Sequence, residues 1–174
     1  MQKPIKFLFY RRAKSTRLLL ILIPLILLTI SSSKGEDKPF KLLETTIQNI
    51  HDAYKSGKIT SSQLVQLYLD RIEAYDQKGP TINSIITVNP RALQEAKELD
   101  TAFESSGFVG PLHGIPVILK DQMDSKGMPT TLGSTLLREY YPGKDAFVVE
   151  RLRKAGAIIL AKSTLGEFGG GGTY

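Results

Sequence analysis

From Phe40 onward the apolar positions fall into a short series of recognisable periods. Leu43, Ile47, Ile50 and Tyr54 recur at intervals of four, three and four residues, which places them on one helical face, and Gly57 supplies a stop. Thr60 and Gln63 have the spacing of a capping box, so a second helix is predicted directly after, with Leu64, Leu67, Tyr68, Ile72 and Tyr75 as its buried stripe. Gly79 and Pro80 end it, and the β-branched stretch from Ile82 to Val88 reads as a strand. Asn89 and Pro90 restart a helix as N-cap and first helical residue, turning Ala92, Ala96, Leu99 and Phe103 inward.

After a Ser/Gly loop at 105–110, the unbroken apolar run from Ile115 to Leu119 predicts a strand covered on both faces. Asp145 can cap a helix whose inner face is Val148, Val149, Leu152 and Ala155, stopped by Gly156, and Ala157 to Ala161 is a further wholly apolar strand. Strand, connection with helix, strand is the βαβ order. An α/β fold with a parallel or mixed sheet and covering helices follows.

The first 33 residues are of another kind. Lys3, Lys6, Arg11, Arg12, Lys14 and Arg17 precede an apolar run from Leu18 to Ile30, and Ser31, Ser32 and Ser33 come after it. A basic segment, an apolar segment and small polar residues in that order describe a secretory signal. Residues 18–30 fall short of the roughly 20 needed to cross a bilayer, and Pro24 interrupts them, so a cleaved signal is expected and a membrane anchor is the alternative. Residues 34–39 read as a solvated linker, and 40–174 as the folded part. Export to the periplasm or the extracellular space is the localisation this predicts.

The leader also explains the charge. The whole chain of 174 residues has Lys+Arg 23 against Asp+Glu 17, a net charge of +6, which alone would suggest a nucleic-acid-binding surface. Six of those cations lie in the leader and no acid does, so the remainder is balanced and the nucleic-acid reading loses its support.

Cysteine is absent, which excludes disulfides, thiolate metal sites and a cysteine nucleophile, and only His51 and His113 could offer imidazole. No cofactor or metal is expected. Lys120 ends an apolar strand and precedes Asp121, at the carboxyl end where open α/β sheets bind ligands. Taken alone it is a strand-end lysine reaching for water; a functional role as a base would require it to be desolvated. Lys162 ends the other apolar strand and competes for the same role. Gly156 to Ser163 comes within one residue of a phosphate-binding loop, but position 161 is Ala and the intervening residues are strand formers, so that reading fails. His113 sits in a turn and reads as a structural hydrogen-bonding residue. Ser125, Ser134 and Ser163 have no base assigned by spacing, and Asp121 with Asp124 lacks the third oxygen ligand of a metal site.

Three stretches together carry a family resemblance: Gly110 to Asp121, Gly127 to Ser134, and Asp145 to Phe168. In this order they closely resemble the amidase signature family, and the segments around Gly57 to Val65, Arg71 to Asp76 and Ile82 to Asp100 are similar to that family's N-terminal helices and first strand. The resemblance implies the N-terminal part of an α/β/α fold with a mixed, mostly parallel sheet, incomplete in this chain. It also implies a hydrolase of small carboxylic amides acting through a Ser, cis-Ser, Lys triad, in which Lys120 matches the catalytic lysine and Lys162 matches a position without that role.

The family's Gly/Ser-rich signature, which supplies both serines, does not occur in these residues. The glycine run from Gly169 to Gly172 comes too early and holds no serine. The expectation is therefore an amidase fragment that is inactive alone. The alternatives are a non-catalytic truncated homologue and a relative of the A-type amidotransferase component, whose cytosolic task an export leader does not suit. The partner implied is an amide substrate, with no nucleic acid and with a membrane only through an uncleaved leader.

Overall fold

A computed structural model of the chain describes residues 40–170. The leader, the linker at 34–39, and Gly171 and Gly172 of the glycine run lie outside the described residues.

The first two helices begin where their side chains can close the backbone. Helix α1 (Ile47–Lys55) is capped by Thr46, whose hydroxyl accepts from Asn49 N, and α2 (Ser61–Arg71) starts on the Thr60–Gln63 capping box, with both reciprocal bonds formed. Leu43 precedes the first cap and stays exposed, so the predicted stripe of α1 is reduced to Ile50 and Tyr54, with Ala53 beside them. Helix α2 runs on into a π-helical turn at Ile72–Gln77. Within the regular helix the observed inner face is Leu64 and Val65 with Tyr68, Leu69 and Ile72, and Leu67 of the expected stripe is exposed; the wider turn that follows changes which residues share a face and leaves Tyr75 exposed as well.

Strand β1 is confined to Ile85–Val88, and Ile82 is outside it and exposed. Helix α3 (Ala92–Ser106) starts later than Asn89 and Pro90 predict: Pro90 and Arg91 form a turn, and Arg91 stands at the N-cap position with no side-chain cap. Asn89 Oδ1 accepts from Arg91 N at 2.9 Å within that turn, while its amide donates to Ile159 O at 2.7 Å. Strand β2 (Pro116–Lys120), helix α4 (Phe147–Lys154) and strand β3 (Ile158–Ser163) complete the βαβ unit. Asp145 does not cap α4. Its Oδ1 accepts from Lys126 N at 2.7 Å and its Oδ2 pairs with Arg153 Nε at 3.2 Å, so the carboxylate ties the loop before the helix to the helix itself.

The strands order β1-β3-β2, with β3 antiparallel to β1 and parallel to β2: the mixed sheet expected. Ile158 and Leu160 pack with Val65, Ala92 and Ala96 against α2 and α3, whereas Ile159 packs with Leu119, Met128 and Val149 on the α4 side. Helices thus cover both faces of the central strand, an α/β/α layering. Strand β3 is buried from Ile158 to Lys162. Strand β2, by contrast, is an edge of the described sheet, and Ile118 is 48% exposed, so the expectation of cover on both faces holds for β3 and not for β2. Among the described residues no helix is long and apolar enough to cross a membrane.

Candidate active site

The parallel strands β2 and β3 deliver Lys120 and Lys162 to one end of the sheet, and a defect in the ladder decides where each lysine goes. Val117 pairs with Ile159 and Ile118 with Ala161, which leaves Leu160 unopposed as a β-bulge. Strict alternation would put Lys162 on the face of Ile158 and Leu160. The extra residue re-phases the strand, so that Lys162 pairs with Leu119 and turns to the α4 side.

There it is fully buried. Lys162 Nζ donates to Pro129 O at 2.6 Å and to Thr130 Oγ1 at 2.8 Å, and lies 3.5 Å from Asp121 Oδ1. Burial pushes this ammonium below the ordinary lysine range, opposed by the Asp121 and Asp124 carboxylates. Asp121, equally buried, accepts at Oδ2 from Thr131 N at 3.1 Å, from the Thr131 hydroxyl and from Gly133 N at 3.2 Å. Its Oδ1 has no hydrogen bond, and the ammonium is what balances it.

Lys120 takes the opposite side of the backbone. Its side chain is exposed and its ammonium donates to the Thr164 carbonyl, just past the end of β3. The desolvation that a base at this position needs is not provided by the described residues; the desolvated lysine of the pair is Lys162.

The remaining candidates separate. Ser163 Oγ donates to Leu119 O at 3.3 Å, and Ser134 Oγ to Glu167 Oε1 at 2.8 Å, so both lie near the strand ends but are engaged. Ser125 is buried on the other flank, where Arg153 donates to it at 3.4 Å. His113 is remote, buried among Tyr54, Phe103 and Phe108 rings, with Nδ1 accepting from Val109 N at 3.3 Å; it is the structural residue expected. Asp121 and Asp124 form no metal cluster, and no group of three or more His, Asp or Glu residues that could hold a metal ion occurs among the described residues. Sequence reasoning missed Thr130, Thr131 and the Thr164 carbonyl. Nothing in the local pattern marks the carbonyl, although both threonines stand inside the Gly127 to Ser134 stretch.

The arrangement offers an exposed amine at the carboxyl end of a parallel strand, backed by a buried ion pair that holds the neighbouring loop. A family model described as Amidase matches residues 63–173. The chain is 41% identical over 128 residues to a putative amidase of Schizosaccharomyces pombe, covering 73% of this chain and 21% of that one. Among solved structures, native peptide amidase from Stenotrophomonas maltophilia superposes with a TM-score of 0.72 at 42% identity, over 75% of this chain and 26% of that chain. An amidase family protein from Bacillus anthracis gives 0.69 at 34% identity, over 72% and 25%. The chain spans about a quarter of the length of the curated relatives it matches, glutamyl-tRNA(Gln) amidotransferase components of Exiguobacterium and Alkaliphilus among them.

Proposed function

The chain belongs to the amidase family and covers part of that family's domain, and on this premise we propose that it supplies the lysine-bearing portion of an enzyme that hydrolyses small carboxylic amides. Lys120 is the base of the proposed reaction. The neutral Lys120 amine takes a proton from a bridging serine, which takes one from the nucleophilic serine, and that serine attacks the amide carbonyl. The substrate C–N bond breaks as its nitrogen receives the proton back from Lys120 through the bridging serine, and water then hydrolyses the acyl-enzyme ester to release the acid. Neither serine of the signature occurs in this sequence, so in this reading the chain alone does not turn over amides. The exclusion of water that a neutral Lys120 requires would come from the Ser-rich portion of the family's domain packing over it.

The observation that carries the reading is the placement of Lys120: at the carboxyl end of β2, exposed, and held through a single main-chain carbonyl. That leaves the amine available to a second group, whereas Lys162 is committed to Asp121 and the 129–130 segment. The basic and apolar run at residues 1–33 supports an exported enzyme rather than a cytosolic amidotransferase.

A chimera tests it. The segment of the Stenotrophomonas peptide amidase that aligns with residues 40–168 is replaced by this chain's, and ammonia release from primary amides is measured. Turnover that falls by about 10²–10⁴-fold in Lys120→Ala is the expected result. An active chimera indifferent to Lys120→Ala would overturn the role, and ammonia release by the unfused chain would overturn its proposed inactivity.

A further inference from the structure

We infer that Lys162 is a positioning residue for Lys120, acting through the irregular segment from Pro129 to Ser134 that it holds together with Asp121. The inference rests on the reading of Lys120 as the base.

A strand face lined by Leu119, Ile159, Met128 and Val149 could be closed by another apolar side chain, so packing does not call for an ammonium at position 162. What the ammonium adds is a grip on the Pro129 carbonyl and the Thr130 hydroxyl. Asp121 grips the next residues of the same segment through Thr131 and Gly133. Two opposite charges, one in β3 and one just past the end of β2, therefore hold four of the five residues from Pro129 to Gly133, which have no regular structure of their own.

The segment is held tightly on its far side as well. Leu132 and Gly133 have φ of 52° and 69°, and a Cβ on Gly133 would stand 2.5 Å from Leu165 O. Phe168 N donates to Leu132 O at 2.7 Å, and Ser134 reaches Glu167. The segment thus backs directly onto residues 165–168, and those residues continue from Thr164, whose carbonyl anchors the Lys120 ammonium. A second tie is covalent: Asp121 follows Lys120, and its N–H donates to Ser163 O at 3.0 Å. Loosening Lys162 frees the segment, lets residues 164–168 shift, and releases the Lys120 amine from its carbonyl. The test reads Lys120 itself.

The full chain is labelled with trace acetic anhydride, and acetylation of Lys120 is quantified by mass spectrometry relative to exposed Lys144. Measurements are made at a temperature where circular dichroism shows each variant folded. Lys162→Met is expected to raise the Lys120 to Lys144 ratio at least threefold, and Thr130→Val, which removes one acceptor and no charge, to raise it by less. A residue that only supports the fold would lower the melting temperature and leave the ratio unchanged, and that result overturns the inference. Should Lys162→Met not fold, Thr130→Val decides alone, and a wild-type ratio in that folded variant overturns it equally. The readout needs no amide turnover: a raised ratio with a chimera indifferent to Lys120→Ala would sink the amidase role while leaving the positioning intact.

Discussion

The Lys162 ammonium lies 3.5 Å from the Asp121 carboxylate, with both side chains wholly shielded from solvent and the two residues 41 positions apart in the chain. Burying either charge by itself is costly, so the partners are mutually required even if the pair as a whole adds little over an apolar filling. Removing one should therefore hurt more than removing both. Lys162→Met is expected to cost about 3–5 kcal/mol in urea unfolding, and Lys162→Met with Asp121→Asn clearly less than the sum of the singles. Additive single losses would show that the two side chains are not coupled.

Lys120 should behave in the opposite way. Its side chain is exposed and its ammonium bonds to the Thr164 carbonyl, so the fold does not depend on it. Lys120→Ala is expected to change unfolding free energy by no more than about 0.5 kcal/mol. A loss comparable with that of Lys162→Met would mean that Lys120 is part of the scaffold.

The contrast between the two lysines also marks how far the sequence could be read. Features decided by neighbours along the chain were legible: the Thr60–Gln63 capping box and the apolar run of β3 as far as Ala161 are both local chemistry. The strand ends that bear Lys120 and Lys162 were legible for the same reason. Which face each lysine takes was not, because the bulge at Leu160 arises from pairing with β2 and has no signature in an apolar run. Asp145 shows a similar limit. Its position suits an N-cap, but Lys126 N and the Arg153 guanidinium, 19 residues earlier and eight later, compete successfully for its carboxylate. The π-helical turn at Ile72–Gln77 is a third case, since a stripe drawn with a constant period cannot anticipate it and Tyr75 falls outside the core.

Arg153 gives a further prediction. Its Nη1 reaches Glu95 Oε2 at 2.9 Å and its Nε reaches Asp145 Oδ2 at 3.2 Å, so one guanidinium joins α4 to α3 and to the loop ahead of α4. All three side chains are more than two-thirds buried, at 26%, 17% and 18% exposure, which removes much of the solvent screening that weakens surface pairs. Arg153→Met is expected to destabilise by about 1.5–3 kcal/mol. A double-mutant cycle with Glu95→Gln should show coupling that shrinks only modestly in high salt. Coupling near zero would place Arg153 among the pairs that contribute nothing measurable.

His113 makes the stability of the fold sensitive to mild acid. It is fully buried; its Nδ1 accepts from Val109 N, so the neutral ring carries its proton on Nε2, which has no hydrogen-bond partner among the described residues. Burial, and then the neighbouring His51, push its pKa below the ordinary histidine value, while Asp100 works against them. A folded value below the unfolded one means that, between the two, the unfolded chain binds more protons and stability rises with pH. The contribution is therefore complete above about pH 6.5 and is lost as pH falls below it, at up to about 1.4 kcal/mol per pH unit. Asp76 and Asp100 are also held below the usual carboxylate range, Asp76 chiefly by the Ser84 hydroxyl and Asp100 by bonds from Ser62 and Ser61 that outweigh its burial, but their contributions are lost only below about pH 4. The interval from about pH 7 to about pH 5 thus isolates imidazole titration. The melting temperature of the full chain should drop across that interval, and His113→Gln, though less stable throughout, should show a shallower drop. Equal slopes for the two proteins would assign the acid sensitivity elsewhere.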